Sequence, residues 1–309
     1  MTLYNKYRPQ TLDEVRGQDT IVKTLDKMLS DINTCPHAFL LTGPSGCGKT
    51  SIARIVANRL GCHPNDCQEI DNTDLRGIDT IREIKKESRF LPLNGKVRVW
   101  IFDEVQKVTS DGQAGLLKIL EDTPNHVYFV LCTTDPQKLL PTLIGRCTRF
   151  DVKTLEEDEM VSLLRRVVHK EKQQVDVAIL EQIAMDSLGH ARNALVSLEK
   201  VLAASPEDRM EIAKSSAEQQ NKTIELCRAL IKRVGWKNLA TIIAGLKGVE
   251  PEDIRRAVLG YCQAILLKEE NDVAGLIMEF FMEPMYEPNA YQKLVFNCYS
   301  VYRQLHNQQ

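Results

Sequence analysis

Gly43-Pro44-Ser45-Gly46-Cys47-Gly48-Lys49-Thr50 follows the apolar run Ala38-Phe39-Leu40-Leu41 and leads into Ser51-Ile52-Ala53-Arg54-Ile55-Val56-Ala57-Asn58-Arg59-Leu60, which has helical spacing. A G-x-x-x-x-G-K-T run between a strand and a helix is the setting a phosphate cradle requires. Its glycines let backbone N–H groups turn toward one point, and the N-terminus of the following helix adds positive potential there. Lys49 reaches the outer phosphates, while Thr50 offers its hydroxyl to Mg²⁺. The nucleotide-contacting set expected from this stretch is Gly43, Pro44, Ser45, Gly46, Cys47, Gly48, Lys49, Thr50 and Ser51.

Outward from that loop, strands and helices alternate as far as Phe150. The runs Val97-Arg98-Val99-Trp100-Ile101-Phe102 and Val127-Tyr128-Phe129-Val130-Leu131-Cys132 read as fully buried strands separated by helical spacing. This pattern belongs to a parallel sheet with helices on both faces, in which ligands sit at the carboxyl ends of the strands. Ahead of the loop, a segment around Tyr7-Arg8-Pro9 and Glu14-Val15-Arg16-Gly17-Gln18 is extended and precedes a helix over 21–30 capped by Asp19 or Thr20. It either ties down the terminus or lines a flat pocket for a base.

After Phe150 strands give way to amphipathic helices, expected at about 156–173, 177–187 and 190–203, then a polar stretch at 204–209 and four or five further helices from about 217. At 309 residues there is material for two or three domains, and a formal net charge of −2 confines any nucleic-acid contact to a local patch. Nine scattered cysteines favour a reducing compartment over a disulfide framework; Cys62, His63 and Cys67 hint at metal but fall short of four ligands. With no signal pattern and no run long enough to span a bilayer, a cytoplasmic protein without membrane contact is expected.

The second buried strand ends in Asp103-Glu104, which supplies what the loop lacks: Asp103 to hold Mg²⁺ through water and Glu104 to orient and deprotonate an attacking water. Thr134 stands at the tip of the next strand, where a hydroxyl bonds the γ-phosphate or the lytic water. Arg146 lies on the wrong side of such a sheet for its own nucleotide; it is either a finger for a neighbouring subunit's γ-phosphate or a surface ion-pair partner. Arg192, in the first turn of a helix, calls for a nearby anion or for solvent. On a helix, Arg82, Lys85, Lys86 and Arg89 share one face with Arg76 just ahead, while Ile81 and Ile84 face the sheet. That stripe suits backbone phosphates without sequence preference, or a solvated face. Phe90-Leu91-Pro92-Leu93 is either a docking edge for another protein or core.

In this order the motifs resemble those of the small ATPase subunits of sliding-clamp loaders, within the AAA+ family: the bacterial gamma/tau subunit, replication factor C small subunits and their phage counterparts. The resemblance runs from Tyr4 to about Ala203. It implies an adenine pocket at Tyr7, Arg8 and Val15, Walker A at 43–50, Walker B at Asp103-Glu104-Val105, sensor 1 at Thr134, a finger in trans at Arg146 and sensor 2 at Arg192. Arg76-Gly77-Ile78-Asp79 with Arg82 resembles the family's helix that tracks DNA. Gln106 stands where bacterial members often carry histidine, Gly145 replaces the usual serine, and the bacterial zinc module is absent, features that favour a compact phage-type or otherwise reduced subunit, cytoplasmic in either case and in a host's cytoplasm if phage-encoded.

The implied fold is an α/β P-loop AAA+ ATPase domain (1–151) with a small helical lid domain (152–206), followed by an all-α collar domain (207–309) that oligomerises. The implied cofactors are ATP and Mg²⁺. The implied partners are a sliding clamp, other loader subunits in a hetero-oligomeric, pentameric ring or spiral, and primer-template DNA. Two rivals fit less of the chain: a branch-migration-type AAA+ helicase, and a loader subunit that donates Arg146 without hydrolysing ATP.

Overall fold

The computed structural model describes residues 1–70, 78–220, 222–267, 269–286 and 289–307. The chain divides into two compact units, Leu3–Glu159 and Met160–Gln309. The first carries, in chain order, α1 (Leu3–Lys6), α2 (Asp19–Leu29), β1 (Ala38–Thr42), α3 (Lys49–Arg59), β2 (Cys67–Ile70), α4 (Ile78–Glu87), β3 (Arg98–Phe102), α5 (Ser110–Glu121), β4 (Val127–Thr133), α6 (Pro141–Ile144) and β5 (Thr148–Asp151).

The five strands form one sheet in the order β2-β3-β4-β1-β5, and every pairing is parallel. Side chains alternate across a strand, and the two faces are filled accordingly. Phe39, Leu41, Val99, Ile101, Tyr128 and Val130 pack with α2 and α3 residues such as Leu25, Ile52 and Val56. Ala38, Leu40, Trp100, Phe102, Phe129 and Leu131 pack with Ile81, Ile84, Leu116 and Ile119 of α4 and α5. Both faces are therefore apolar, which is why β1, β3 and β4 are continuous apolar runs. The edge strand β2 was not expected: Gln68 and Glu69 are exposed, so Cys67-Gln68-Glu69-Ile70 lacks the run that marks its neighbours.

In register, Thr42 of β1 pairs with Thr133 of β4, and Phe102 of β3 pairs with Leu131. The carboxyl ends of β1, β4 and β3 thus lie side by side, with β4 in the middle. The segment before α2 is fastened to the strand exit: the Gln18 amide donates to the Lys153 carbonyl at 2.8 Å and accepts from the Lys153 N–H at 3.1 Å. Gly17 beside it holds φ +67°, and a Cβ there would lie 2.4 Å from Leu155 Cδ2. Gln18 itself, rather than Asp19 or Thr20, occupies the cap position of α2.

The second unit is helical among the described residues. It contains α7 (Glu157–Lys170, whose first residues lie in the first unit), α8 (Val177–Asp186), α9 (Ala191–Ala203), α10 (Arg209–Gln220), α11 (Lys222–Ile231), α12 (Trp236–Gly245), α13 (Pro251–Leu266), α14 (Asp272–Phe281) and α15 (Ala290–Asn307). One core, including Ile224, Leu230, Ile243, Val258, Phe281 and Val301, joins α11 to α15. The expected boundary between 206 and 207 falls in the turn between α9 and α10. Arg228 of α11 makes a buried ion pair with Asp186 of α8 and donates to the Lys214 carbonyl of α10. α10 begins at Arg209, eight positions before the expected resumption of helix near 217.

Candidate functional site

The phosphate loop is shaped by three glycines in the left-handed half of backbone space, Gly43 (φ +145°), Gly46 (+77°) and Gly48 (+102°). At Gly43 the constraint is also steric, since a Cβ would lie 2.1 Å from the Val152 carbonyl oxygen. Lys49, 5% exposed, curls over the loop and donates to the carbonyls of Gly43 (2.9 Å) and Pro44 (2.8 Å). An ammonium has three protons, so the third remains for an oxygen seated in the loop. The Cys47 thiol is pushed upward chiefly by burial and stays protonated within the loop. Gly43 donates to the Thr133 carbonyl at 3.2 Å, fixing the loop's first residue to the tip of β4.

Thr50 and Asp103 meet: the hydroxyl donates to the carboxylate at 2.9 Å. Two hard oxygen ligands are thereby held together at the mouth of the loop, a donor set that fits Mg²⁺. Glu104 holds φ +56°, a strained conformation for a residue with a side chain. The turn is stabilised by its N–H donating to Asp103 Oδ1 at 3.1 Å and by the fully buried Val105 that follows. It aims the Glu104 carboxylate at β4, where the Thr134 hydroxyl donates to Glu104 Oε2 at 3.2 Å. Lys49, Thr50, Asp103, Glu104 and Thr134, read from different parts of the sequence, thus lie on three adjacent strand ends.

Two further residues of this cluster had no role assigned from sequence, although Gln106 stands out there as a departure from the family's usual histidine. Gln106 donates to Glu104 Oε2 and to the Thr134 hydroxyl (2.8 Å), and its carbonyl accepts from the buried Thr133 hydroxyl at 2.7 Å. Their signal was positional only: a glutamine two residues past an acid joins the site once the chain turns back at Glu104.

The remaining expected residues are more dispersed. Val15 packs against the core beneath α2 and α3; Tyr7 and Arg8 are half-buried, and the Arg8 carbonyl accepts from the Gln10 amide at 3.0 Å. Ser51 is half-buried in the first turn of α3. Arg146 is exposed and pairs with Glu121 of its own chain, Nε lying 3.1 Å from the carboxylate. An exposed pair of this kind is worth at most about 1 kcal/mol, so it yields readily to a stronger anion. Arg192 is exposed in the first turn of α9, in the second unit.

Arg82, Lys85, Lys86 and Arg89 are all exposed while Ile81 and Ile84 are 2% exposed, so the cations face outward as expected; only Arg82, Lys85 and Lys86 lie on α4, which ends at Glu87, and Arg89 lies two residues beyond it. Arg76 lies outside the described residues. Phe90, Leu91 and Leu93 are 61%, 74% and 82% exposed, which removes the core reading of that stretch. The stretch is nonetheless held at both ends. His126 bonds the Phe90 carbonyl at 3.1 Å, and buried Asp66 accepts from the N–H groups of Leu93 (2.6 Å), Asn94 and Gly95 (both 2.8 Å). Burial raises the Asp66 carboxyl, but those three N–H groups outweigh it and hold it below the usual range. Cys62 and Cys67 are near enough for one thiol to bond the other, which lowers Cys62 and raises Cys67. Among the described residues no group of three or more His, Cys, Asp or Glu side chains is arranged to hold a metal.

Comparison with known proteins adds sequence relatives to this geometry. The family model for the DNA polymerase III delta subunit matches residues 69–156. The chain is 35% identical to the DNA polymerase III subunit gamma/tau of Mycobacterium bovis over 226 residues, 66% of this chain and 39% of that protein. It is 36% identical to the Bacillus subtilis subunit tau over 66% of this chain and 40% of that protein, and 31% identical to the Escherichia coli subunit tau over 88% and 46%. The chain thus spans less than half the length of these relatives. In structure it is similar to the RuvB Holliday junction branch migration motor of Thermotoga maritima, with a TM-score of 0.62 over 84% of this chain and 91% of that one. At 21% identity that likeness speaks for the fold.

Proposed function

This AAA+ chain belongs to the family of the DNA polymerase III gamma/tau subunits, and on that premise we propose that it is an ATP-hydrolysing subunit of a sliding-clamp loader, which opens a ring clamp and sets it on primer-template DNA. The observation that carries the reading is the meeting of Thr50, Asp103, Glu104 and Thr134 beside a loop whose lysine is already folded over it. Three separate strands spend their ends on one polar cluster, which apolar packing alone does not require.

In this reading the loop N–H groups, Lys49 and the start of α3 hold the phosphates, Tyr7, Arg8 and Val15 border the base, and Thr50 and Asp103 hold Mg²⁺, which supplies neutralisation of phosphate charge when bound. Glu104 takes the proton of the attacking water. Thr134 contacts the γ-phosphate, Arg192 is the sensor 2 arginine of the lid (152–206), and Arg146 leaves Glu121 to complete a neighbouring subunit's site. Helices of the collar (207–309) join the subunits into a hetero-oligomeric ring or spiral. Arg82, Lys85, Lys86, Arg89 and Arg76 track DNA phosphates, and the exposed Phe90, Leu91 and Leu93 dock the clamp. The setting is cytoplasmic; among the described residues no helix is long and apolar enough to cross a membrane.

The test is ATP turnover by the assembled protein with and without a ring clamp and primed DNA. Turnover that rises when both are present is expected. Sustained strand unwinding with no response to a clamp would overturn the reading in favour of a branch-migration motor, and assembly without turnover would leave a non-hydrolysing subunit.

A further inference from the structure

Resting on the strand tips being an ATP-hydrolysing site, we propose that Gln106 is a positioning residue that clamps the Glu104 carboxylate to the tip of β4, coupling the phosphate-contacting Thr134 to the base. A side-chain amide has two donor protons and one acceptor oxygen, and all of them are engaged here. The NH₂ group donates to Glu104 Oε2 and to the Thr134 hydroxyl at 2.8 Å; the carbonyl accepts from Thr133 at 2.7 Å. Thr133 in turn accepts from the Asp135 N–H at 3.0 Å, which fixes its hydroxyl proton on Gln106. Flipping the amide would set its carbonyl oxygen against a carboxylate, so only one orientation is satisfied.

The consequence falls on Glu104. Thr134 and Gln106 both donate to Oε2, and they also bond each other, so carboxylate, amide and hydroxyl close a triangle. Oε2 is thereby committed to β4, and Oε1 is the oxygen presented to water. Glu104 sits on a left-handed turn (φ +56°) that by itself leaves the side chain free to swing, and the triangle removes that freedom. A hydroxyl has one proton, so Thr134 releases Oε2 when it turns that proton to the γ-phosphate, and the Gln106 amide, bonded to both, carries the change to the base.

Kinetics on the full chain with Mg-ATP separate this role from packing. For Gln106→Ala, kcat falls on the order of 10- to 100-fold, as for loss of a hydrogen bond to a charged group, while the affinity for a fluorescent ATP analogue and the melting temperature hold. The isosteric Gln106→Glu keeps shape but replaces the donor with a second carboxylate, and kcat falls at least as far. Combining Gln106→Ala with Thr134→Ala costs clearly less than the product of the single losses, because both act through one carboxylate. Gln106→Glu turning over at the wild-type rate, or fully multiplicative losses, would overturn the proposal. If wild type hydrolyses and every Gln106 variant matches it, only this inference fails; if wild type does not hydrolyse Mg-ATP at all, the functional reading fails with it.

Discussion

The strand-end cluster of the first unit and the Glu252 cluster of the second use charge in opposite ways. In the first, polar groups gather at strand ends and are left incompletely satisfied: Lys49 keeps a proton in reserve over the loop and Glu104 keeps one oxygen. In the second, Glu252 is saturated inside one helical unit, taking Arg255 through two bonds of 2.7 Å, Arg256 at 3.0 Å and the Met285 N–H at 2.9 Å. The Arg255 guanidinium also reaches the carbonyls of Phe281 and Met282, so the cluster staples α13 to the end of α14. In the proposed reading the charges with spare capacity, Lys49 and Glu104, are kept for a ligand, whereas the saturated Glu252 serves the fold.

Substitutions sharpen that comparison. Lys49→Ala is expected to lower turnover on the order of 10²- to 10³-fold, as for a lost transition-state donor, and to weaken ATP binding, with little change in melting temperature. A large loss of fold stability instead would make Lys49 a structural residue. Glu252→Gln has the reverse profile: it leaves two guanidinium groups poorly paired and costs about 3 kcal/mol, read by denaturant unfolding, while nucleotide binding by the first unit persists. The same residue sets an acid response. Hydrogen bonding from Arg255 brings the Glu252 carboxyl down to about 2, below the unfolded value of about 4.3. Its contribution is therefore complete above about pH 5 and drains away as pH falls toward 2. Wild type and Glu252→Gln are expected to converge in stability across that window, and parallel curves would refute the assignment.

How much of this was legible follows the same divide. β1, β3 and β4 were readable because both faces of the sheet are apolar, and Lys49, Thr50, Asp103, Glu104 and Thr134 because each follows such a run. β2 was not, since an edge strand buries little of Gln68 and Glu69. Nor was the start of α10, where Arg209-Met210-Glu211-Ile212-Ala213-Lys214 carries no clear apolar stripe. Gln106, Thr133 and Asp66 act through contacts that exist only once loops fold back, and no spacing announces them. In the helical unit α7, α8 and α9 were legible in position as well as type; from about 217 onward the sequence offered helix count and nothing more, because packing is specified by volume and pairing, which many sequences satisfy.

Smaller effects test the surface. Reversing Arg82 and Lys86 to glutamate is expected to weaken DNA binding uniformly across sequences and to flatten its salt dependence by roughly one unit of log–log slope for each phosphate no longer neutralised. An unchanged slope would make the stripe a solvated face. Glu121→Gln changes stability by less than about 1 kcal/mol, because its pair with Arg146 is solvent-exposed. A larger loss would mean that Arg146 is held for the fold rather than kept available.

The strand-end cluster is tested most directly by phosphate release from Glu104→Gln at saturating Mg-ATP, with nucleotide binding measured on the same sample. Binding is expected to persist while release falls on the order of 10²- to 10⁴-fold, the range for a lost general base. Release at the wild-type rate would contradict the assignment of Glu104 and with it the account of these three strand ends.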